Sequence, residues 1–422
     1  MTPNLLRQLE AVDWDFPRIN SEATGAFHWY PGTFPPQLPG TLIEALTREG
    51  ELVFDPYGGI GTTVVEALRL GRKAWHVDQC PIGYLTAYVT SGLILSKAVD
   101  PTMYISTIAA VERIFGGKTF ENDLFSFANE SAIDSVMDHL MRPAPQEVFA
   151  EMRATLPSKW SLLAPWYEPN TLQEIKKLFG KILNSELSSL GKLFGLVMLS
   201  ATLRIASSQN RSWGHVADNV LPDEFTIKNV GELCRRWLSR VGGMLNRSQV
   251  CPLSAKHRRA VQFWASCHDW RSDSALKVGP KSKINALITS PPYANAIDYT
   301  RAQRLSLYLF GFNEKAITTM GHSEIGARRK RSNSLSESIW AAELASALEK
   351  QVSFLADDGS VSIVLPHEDH GREAGAIHMG ETLNTLGWVN IFKKDRSIRQ
   401  GRTRQCWTSI KRETIEIYQH EK

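Results

Sequence analysis

The chain has 422 residues, 43% hydrophobic and 22% charged, with a formal net charge of +4 at pH 7. That length suits two domains, or one domain carrying a large insertion. No run approaches 18 apolar residues, which argues against a membrane span, and Met1-Thr2-Pro3-Asn4 does not open a secretory leader, so a cytoplasmic location is expected.

Residues 1–50 are rich in proline and aromatic residues, with Phe27-His28-Trp29-Tyr30-Pro31 followed by Phe34-Pro35-Pro36. They read as an extended arm leading into a helix near 39–48. Leu52-Val53-Phe54 is a short apolar run closed by Asp55-Pro56 and glycines, the pattern of a buried strand. Helical spacing from Thr62 to Leu70 stops at Gly71, a good C-terminal cap, and Lys73–Val77 forms a second strand ending at Asp78. Strand, glycine turn, helix and strand make a βαβ unit.

From about 85 to 257, Leu, Ala, Met, Lys and Glu recur at helical spacing and strand signals are sparse. Strand texture returns at Val261–Ala265 and Asn285–Thr289. A helix near 300–310, a strand over 359–365 and a closing hairpin over 388–396 and 405–418 follow. Neither flank alone has enough strands for a doubly wound sheet. The expected fold is α/β: a Rossmann-like sheet with a C-terminal β-hairpin, interrupted by a large, mainly helical insertion. The expected division is 1–95 (arm and first half of the sheet), 96–257 (helical insertion, a candidate target-recognition region) and 258–422 (second half, with the catalytic loop).

Two loops carry chemistry. In "FDPYGGIGTT" (54–63), Gly59 and Gly61 allow a tight turn and close approach of a ligand, and the helix opening at Thr62 presents free N–H groups to an anionic group. Asp55 can accept from a ligand amine, and Asp78, ending the next strand, can hold a ribose diol. A glycine turn alone also serves as a purely structural turn. With Asp78 it points to a nucleoside-bearing cofactor with an amino-acid or phosphate end.

The second loop is Thr289-Ser290-Pro291-Pro292-Tyr293, at the carboxyl end of a strand. The prolines fix φ and remove two N–H donors, leaving the Ser290 hydroxyl and the carbonyls of Ser290 and Pro291 as fixed acceptors. An exocyclic base amine is a poor nucleophile because its lone pair is delocalised into the ring. Two acceptors on its N–H groups favour a tetrahedral nitrogen able to attack a sulfonium methyl, while Tyr293 stacks on an extruded base. A proline-stiffened turn with a buried tyrosine is the plainer reading of this loop alone.

Together these motifs resemble those of the S-adenosylmethionine-dependent DNA amino-methyltransferases. "DPYGGIGTT" is similar to their cofactor motif, with Tyr57 in the usual phenylalanine place, and "TSPPY" is similar to their catalytic motif. The resemblance covers about 1–95 and 258–422. It implies S-adenosylmethionine held by Asp55, Tyr57, Gly59, Gly61, Thr62 and Asp78. By "WYPGTFPPQLPGTLIEAL" it adds Thr33 and Phe34 at the methionine end, and by "VQFWASCHDW" it adds Asp269 at the adenine amine. Catalysis falls to Ser290, Pro291, Pro292 and Tyr293. Ser290 is more typical of the cytosine-N4 enzymes and aspartate of the adenine-N6 enzymes. The implied partners are double-stranded DNA and a restriction or phage-defence system; monomer and dimer both stay open. The rivals are adenine N6 on the same scaffold and a non-catalytic DNA-binding subunit that keeps the fold.

Other chemistries fit poorly. The five cysteines are scattered without a C-x-x-C pair, which argues against disulfides and structural zinc. None follows a proline, as a cytosine-C5 nucleophile would. "HEDHG" (367–371) has Gly371 where a zinc motif needs histidine, so His367 and His370 read as loop residues and no metal is expected. Basic clusters at 256–259, 328–331 and 391–412 suit phosphate contact, and the last nominates Arg396, Arg399, Arg402 and Arg404 for DNA. Gln209, Asn210, Arg211 and Trp213 in "SSQNRSWGH" are residue types that read or wedge bases, and equally those of a capped helix end.

Overall fold

The protein is described by a computed structural model over residues 3–16, 27–33, 35–115, 130–156, 159–209, 221–252, 262–272, 279–294, 298–327, 336–366, 372–398 and 412–421. Its strands are β1 (Leu52–Asp55), β2 (Lys73–Asp78), β3 (Met141–Arg142), β4 (Phe263–Cys267), β5 (Ile284–Thr289), β6 (Leu355–Pro366), β7 (Trp388–Ser397) and β8 (Arg412–His420). They form one sheet in the order β3-β4-β2-β1-β5-β6-β8-β7. The first six run parallel, and β8 and β7 close the sheet antiparallel. From β1 the chain winds one way to β2 and β4, then returns on β1's other side as β5. That reversal is the switch point where open α/β sheets bind ligands, beyond the carboxyl ends of the strands.

The central strands are apolar because both faces are covered. On β1, Leu52 and Phe54 join a cluster with Trp75, Trp270 and Trp340. Val53 faces the other way, into the larger cluster with Leu42, Val64 and Leu93. Two helices flank the β1 turn: α1 (Gln37–Leu46) before it and α2 (Thr62–Arg69) after it. Pro81–Val99 follows β2, started by Pro81 in its first turn.

The region between β2 and β4 is helical as expected, and its core is continuous with that of the sheet. Leu190, Phe194 and Trp237 lie in the same cluster as Val53 and Val64. A Cβ on Gly92 would lie 2.7 Å from Leu190 Cδ1, so these helices touch closely. The two-residue β3 falls inside the range read as helical; so short a strand has no alternation to detect. Pro81–Val99 and Ser189–Ala206 are long and apolar enough to cross a membrane by length and composition, but 89% and 72% of those windows are buried within the fold. Here they are core helices. The single helix expected near 300–310 is two short ones, Tyr299–Ala302 and Arg304–Leu309.

Candidate functional site

The tips of β1, β2, β4 and β5 surround an open cavity at the ligand edge of the sheet. Five segments line it: Tyr30–Thr33 of the arm, Asp55–Ile60 with Thr62 and Thr63, Asp78–Cys80, His268 with Trp270, and Ser290 with Pro292. Tyr299, Thr300, Glu324 and Ile325 complete the wall.

The glycine turn is built locally. Gly59 and Gly61 have φ of +52° and +88°, the left-handed region that side chains disfavour. The Gly59 N–H donates to Asp78 Oδ2 at 2.7 Å, and the Cys80 N–H donates to Asp78 Oδ1 at 2.7 Å. One aspartate therefore joins the tips of β1 and β2. His76 Nε2 lies 3.0 Å from the Gly59 carbonyl; burial lowers this imidazole to about 4, so it is neutral. Asp55 Oδ1 accepts from the Tyr57 N–H at 3.2 Å and from the Thr289 hydroxyl at 2.6 Å. The second bond ties the β1 turn to β5 across the switch point. Burial pushes both Asp55 and Asp78 up to about 6.

The Ser-Pro-Pro-Tyr loop is held from farther away. Ser290 Oγ lies 3.1 Å from Tyr293 Oη, which lies 2.9 Å from Glu413 Oε1 on β8. Trp340 donates its indole N–H to the Pro292 carbonyl at 2.9 Å. The arm closes over this side. Tyr30 stacks on Tyr299 at 5.8 Å, and Gln303 donates to the Trp29 carbonyl at 2.8 Å.

Of the residues nominated from sequence, Thr33, Asp55, Tyr57, Gly59, Thr62, Asp78, Ser290 and Pro292 line the cavity. Gly61 caps α2 behind it. Pro291 and Tyr293 belong to the loop without lining the cavity. Asp269 sits between two lining residues, but its carboxylate caps its own turn. Oδ1 accepts the Arg271 N–H at 3.0 Å, and Oδ2 lies 3.4 Å from the Arg271 guanidinium. Phe34, Arg399, Arg402 and Arg404 lie outside the described residues, as do His367, His370, Asn210, Arg211, Trp213 and the clusters at 256–259 and 328–331.

Arg396 requires a correction. It is not a DNA-facing cation: it is 5% exposed, bonded to Glu413 Oε2 at 2.7 Å and to the Trp14 carbonyl at 3.2 Å. On β7, Arg396 shares a face with buried Phe392, which packs against Trp14, the residue whose carbonyl Arg396 meets. Lys393 and Arg412 of the same run pair with Glu416 and Asp395 at 3.1 and 3.5 Å. Sequence reasoning also missed Glu324, Trp270 and Glu413. Glu324 and Glu413 stand far from the motifs they support, with no local pattern to mark them, while Trp270 directly follows Asp269. Tyr30 belongs to the arm picked out by its aromatic residues, and its stacking on Tyr299 is a tertiary fact.

The cavity suits a cationic nucleoside. Among the described residues its lining holds Asp55, Asp78 and Glu324 and no lysine or arginine. A family model described as DNA methylase matches residues 6–98, the arm and the βαβ unit. The chain is similar to the Type II methyltransferase M.MjaII of Methanocaldococcus jannaschii, 20% identical over 411 residues, covering 84% of this chain and 75% of that one. It is also similar to the Type II methyltransferase M.BsoBI of Geobacillus stearothermophilus, 37% identical over 333 residues, covering 73% of this chain. The matched stretch spans 57% of the length of M.BsoBI. Motifs, sheet order and kinship agree in supporting a DNA amino-methyltransferase, a family whose methyl donor is S-adenosylmethionine.

Proposed function

We propose that this chain methylates the exocyclic amine of a flipped base in double-stranded DNA, and that the base is cytosine, modified at N4. One observation carries the reading: Ser290 lines the same cavity as Asp55 and Asp78, at the switch point of the sheet. When bound, S-adenosylmethionine supplies a methyl group on a positively charged sulfur. Asp55 accepts from its ammonium group and Asp78 from its ribose hydroxyls, while the first turn of α2, at Thr62 and Thr63, borders the same cavity. Ser290 Oγ and the carbonyls of Ser290 and Pro291 accept the N–H bonds of the target amine and steer its lone pair toward the methyl group. Tyr293 stacks on the extruded base.

The helical segment 96–257 is proposed as the target-recognition region, and a restriction or defence system as the setting, by likeness to the Type II relatives. The test uses labelled S-adenosylmethionine with unmethylated DNA, followed by nucleoside analysis of the product. N4-methyldeoxycytidine is expected. N6-methyldeoxyadenosine would overturn the choice of base, and no methylated nucleoside would overturn the enzymatic reading in favour of a non-catalytic subunit. Ser290→Ala should lose roughly 100-fold or more in turnover, the scale of removing one positioned polar group at a reacting centre, while still binding the methyl donor.

A further inference from the structure

We infer that Glu413 sets the hydrogen-bond polarity of Ser290, acting through Tyr293, and that Arg396 holds Glu413 in the state that does so. This rests on the proposed methyl-transfer role of Ser290.

The groups form a single chain, buried at Arg396 and Glu413 and half-buried at Tyr293 and Ser290. Arg396 donates to the Trp14 carbonyl at 3.2 Å and to Glu413 Oε2 at 2.7 Å. The other carboxylate oxygen, Oε1, faces Tyr293 Oη at 2.9 Å, and Oη faces Ser290 Oγ at 3.1 Å. A carboxylate paired with a guanidinium only accepts hydrogen bonds. The Tyr293 hydroxyl must therefore donate to Glu413. The only other acceptor near it among the described residues, the Val364 carbonyl, stands at 3.5 Å, the limit of a useful bond. With its hydrogen committed, Oη accepts, so Ser290 donates to it. The serine hydrogen then points inward and the lone pairs of Oγ face the cavity.

A serine hydroxyl can otherwise donate or accept. Only an accepting Ser290 assists an amine, which presents its own N–H groups. Rotated outward, the same hydroxyl would present a hydrogen to those hydrogens. Glu413 and Arg396 are thus positioning residues, on the closing strands of the sheet and remote in sequence from the loop they orient.

The test is a set of three variants assayed on unmethylated genomic DNA with labelled S-adenosylmethionine. Glu413→Gln puts an amide where the carboxylate stood. Arg396 attracts its carbonyl, so its NH₂ faces Oη and the chain reverses. We expect kcat to fall roughly 10- to 100-fold, the worth of one hydrogen bond to a charged group, with the Kd for S-adenosylmethionine within about twofold of wild type. Tyr293→Phe uncouples Ser290 and should cost less. Adding Tyr293→Phe to Glu413→Gln should restore turnover to the level of Tyr293→Phe alone, because the reversed signal no longer reaches the serine.

That rescue is what a packing role cannot produce. Equal turnover in Glu413→Gln and wild type would overturn the inference, as would a double variant slower than either single. Loss of donor binding in parallel with turnover would overturn it too. If wild type itself transfers no methyl group to DNA, the proposed activity falls and this inference with it. An active wild type with an unaffected Glu413→Gln sinks the inference alone.

Discussion

The two loops at the switch point are built in opposite ways. The glycine turn after β1 is closed by neighbours in sequence: Asp78 is 19 residues from Gly59, and His76 is 17. The Ser-Pro-Pro-Tyr loop after β5 is held by Glu413, 120 residues from Tyr293, and by Trp340, 48 residues from Pro292. The first can form with its own βαβ unit. The second acquires its geometry only when the last strands have docked. The glycine turn is thus largely a local product of the chain, and the reacting edge a product of the whole sheet.

The sharpest way to break the local loop is Gly61→Val. The residue sits at φ +88°, and a Cβ there would lie 2.7 Å from Ala87 Cβ and 2.9 Å from Ala87 Cα, which is backbone. A β-branched side chain adds left-handed strain to that collision, together about 3 kcal/mol or more. We expect a clear loss of thermal stability and of S-adenosylmethionine binding, read by melting and calorimetry. Unchanged binding would show that the turn is less rigid than its contacts require.

The same contrast explains what was legible in the sequence. Strands β1, β2 and β5 are short apolar runs with polar stops, and those stops, Asp55, Asp78 and Ser290, all reach the cavity. Their signals lie within a few residues of the groups they place. Arg396 defies the pattern because a basic run looks uniform in one dimension, while Trp14 and Glu413 draw this one member inward. Glu413 carries no motif at all; its meaning comes from Tyr293, the partner brought to it by sheet order. Asp269 was a matter of one residue, since His268 and Trp270 on either side line the cavity and Asp269 caps the turn.

Acid should weaken the donor pocket. Burial raises Asp55 and Asp78 from 3.8 to about 6. The folded protein therefore binds more protons than the unfolded chain between about pH 4 and 6. Stability of the free protein falls as pH rises through that window and levels off above it. Binding of a cationic donor has the opposite slope, because it needs the ionised carboxylates. Affinity for S-adenosylmethionine should drop about tenfold from pH 7 to pH 5 for each carboxylate that must be ionised. Calorimetry at pH 5, 6 and 7 reads this directly, and a flat Kd would mean that neither carboxylate touches the donor as an anion.

The smallest effect is expected at the bond from Thr289 Oγ1 to Asp55 Oδ1 at 2.6 Å, which joins the two loops. Thr289→Val keeps the shape of this buried side chain and removes the donor. The hydrogen bond favours the ionised form of Asp55, opposing burial. Without it the carboxyl titrates higher, by roughly one pH unit for a bond to a charged group. Donor affinity should then fall only about twofold at pH 7 but roughly fivefold at pH 6, and should recover toward wild type at pH 8. A loss that is equal at all three pH values would point instead to a shift of the β5 tip. In that case Thr289 would act as a spacer between the local loop and the distant one, rather than as the donor that keeps Asp55 charged.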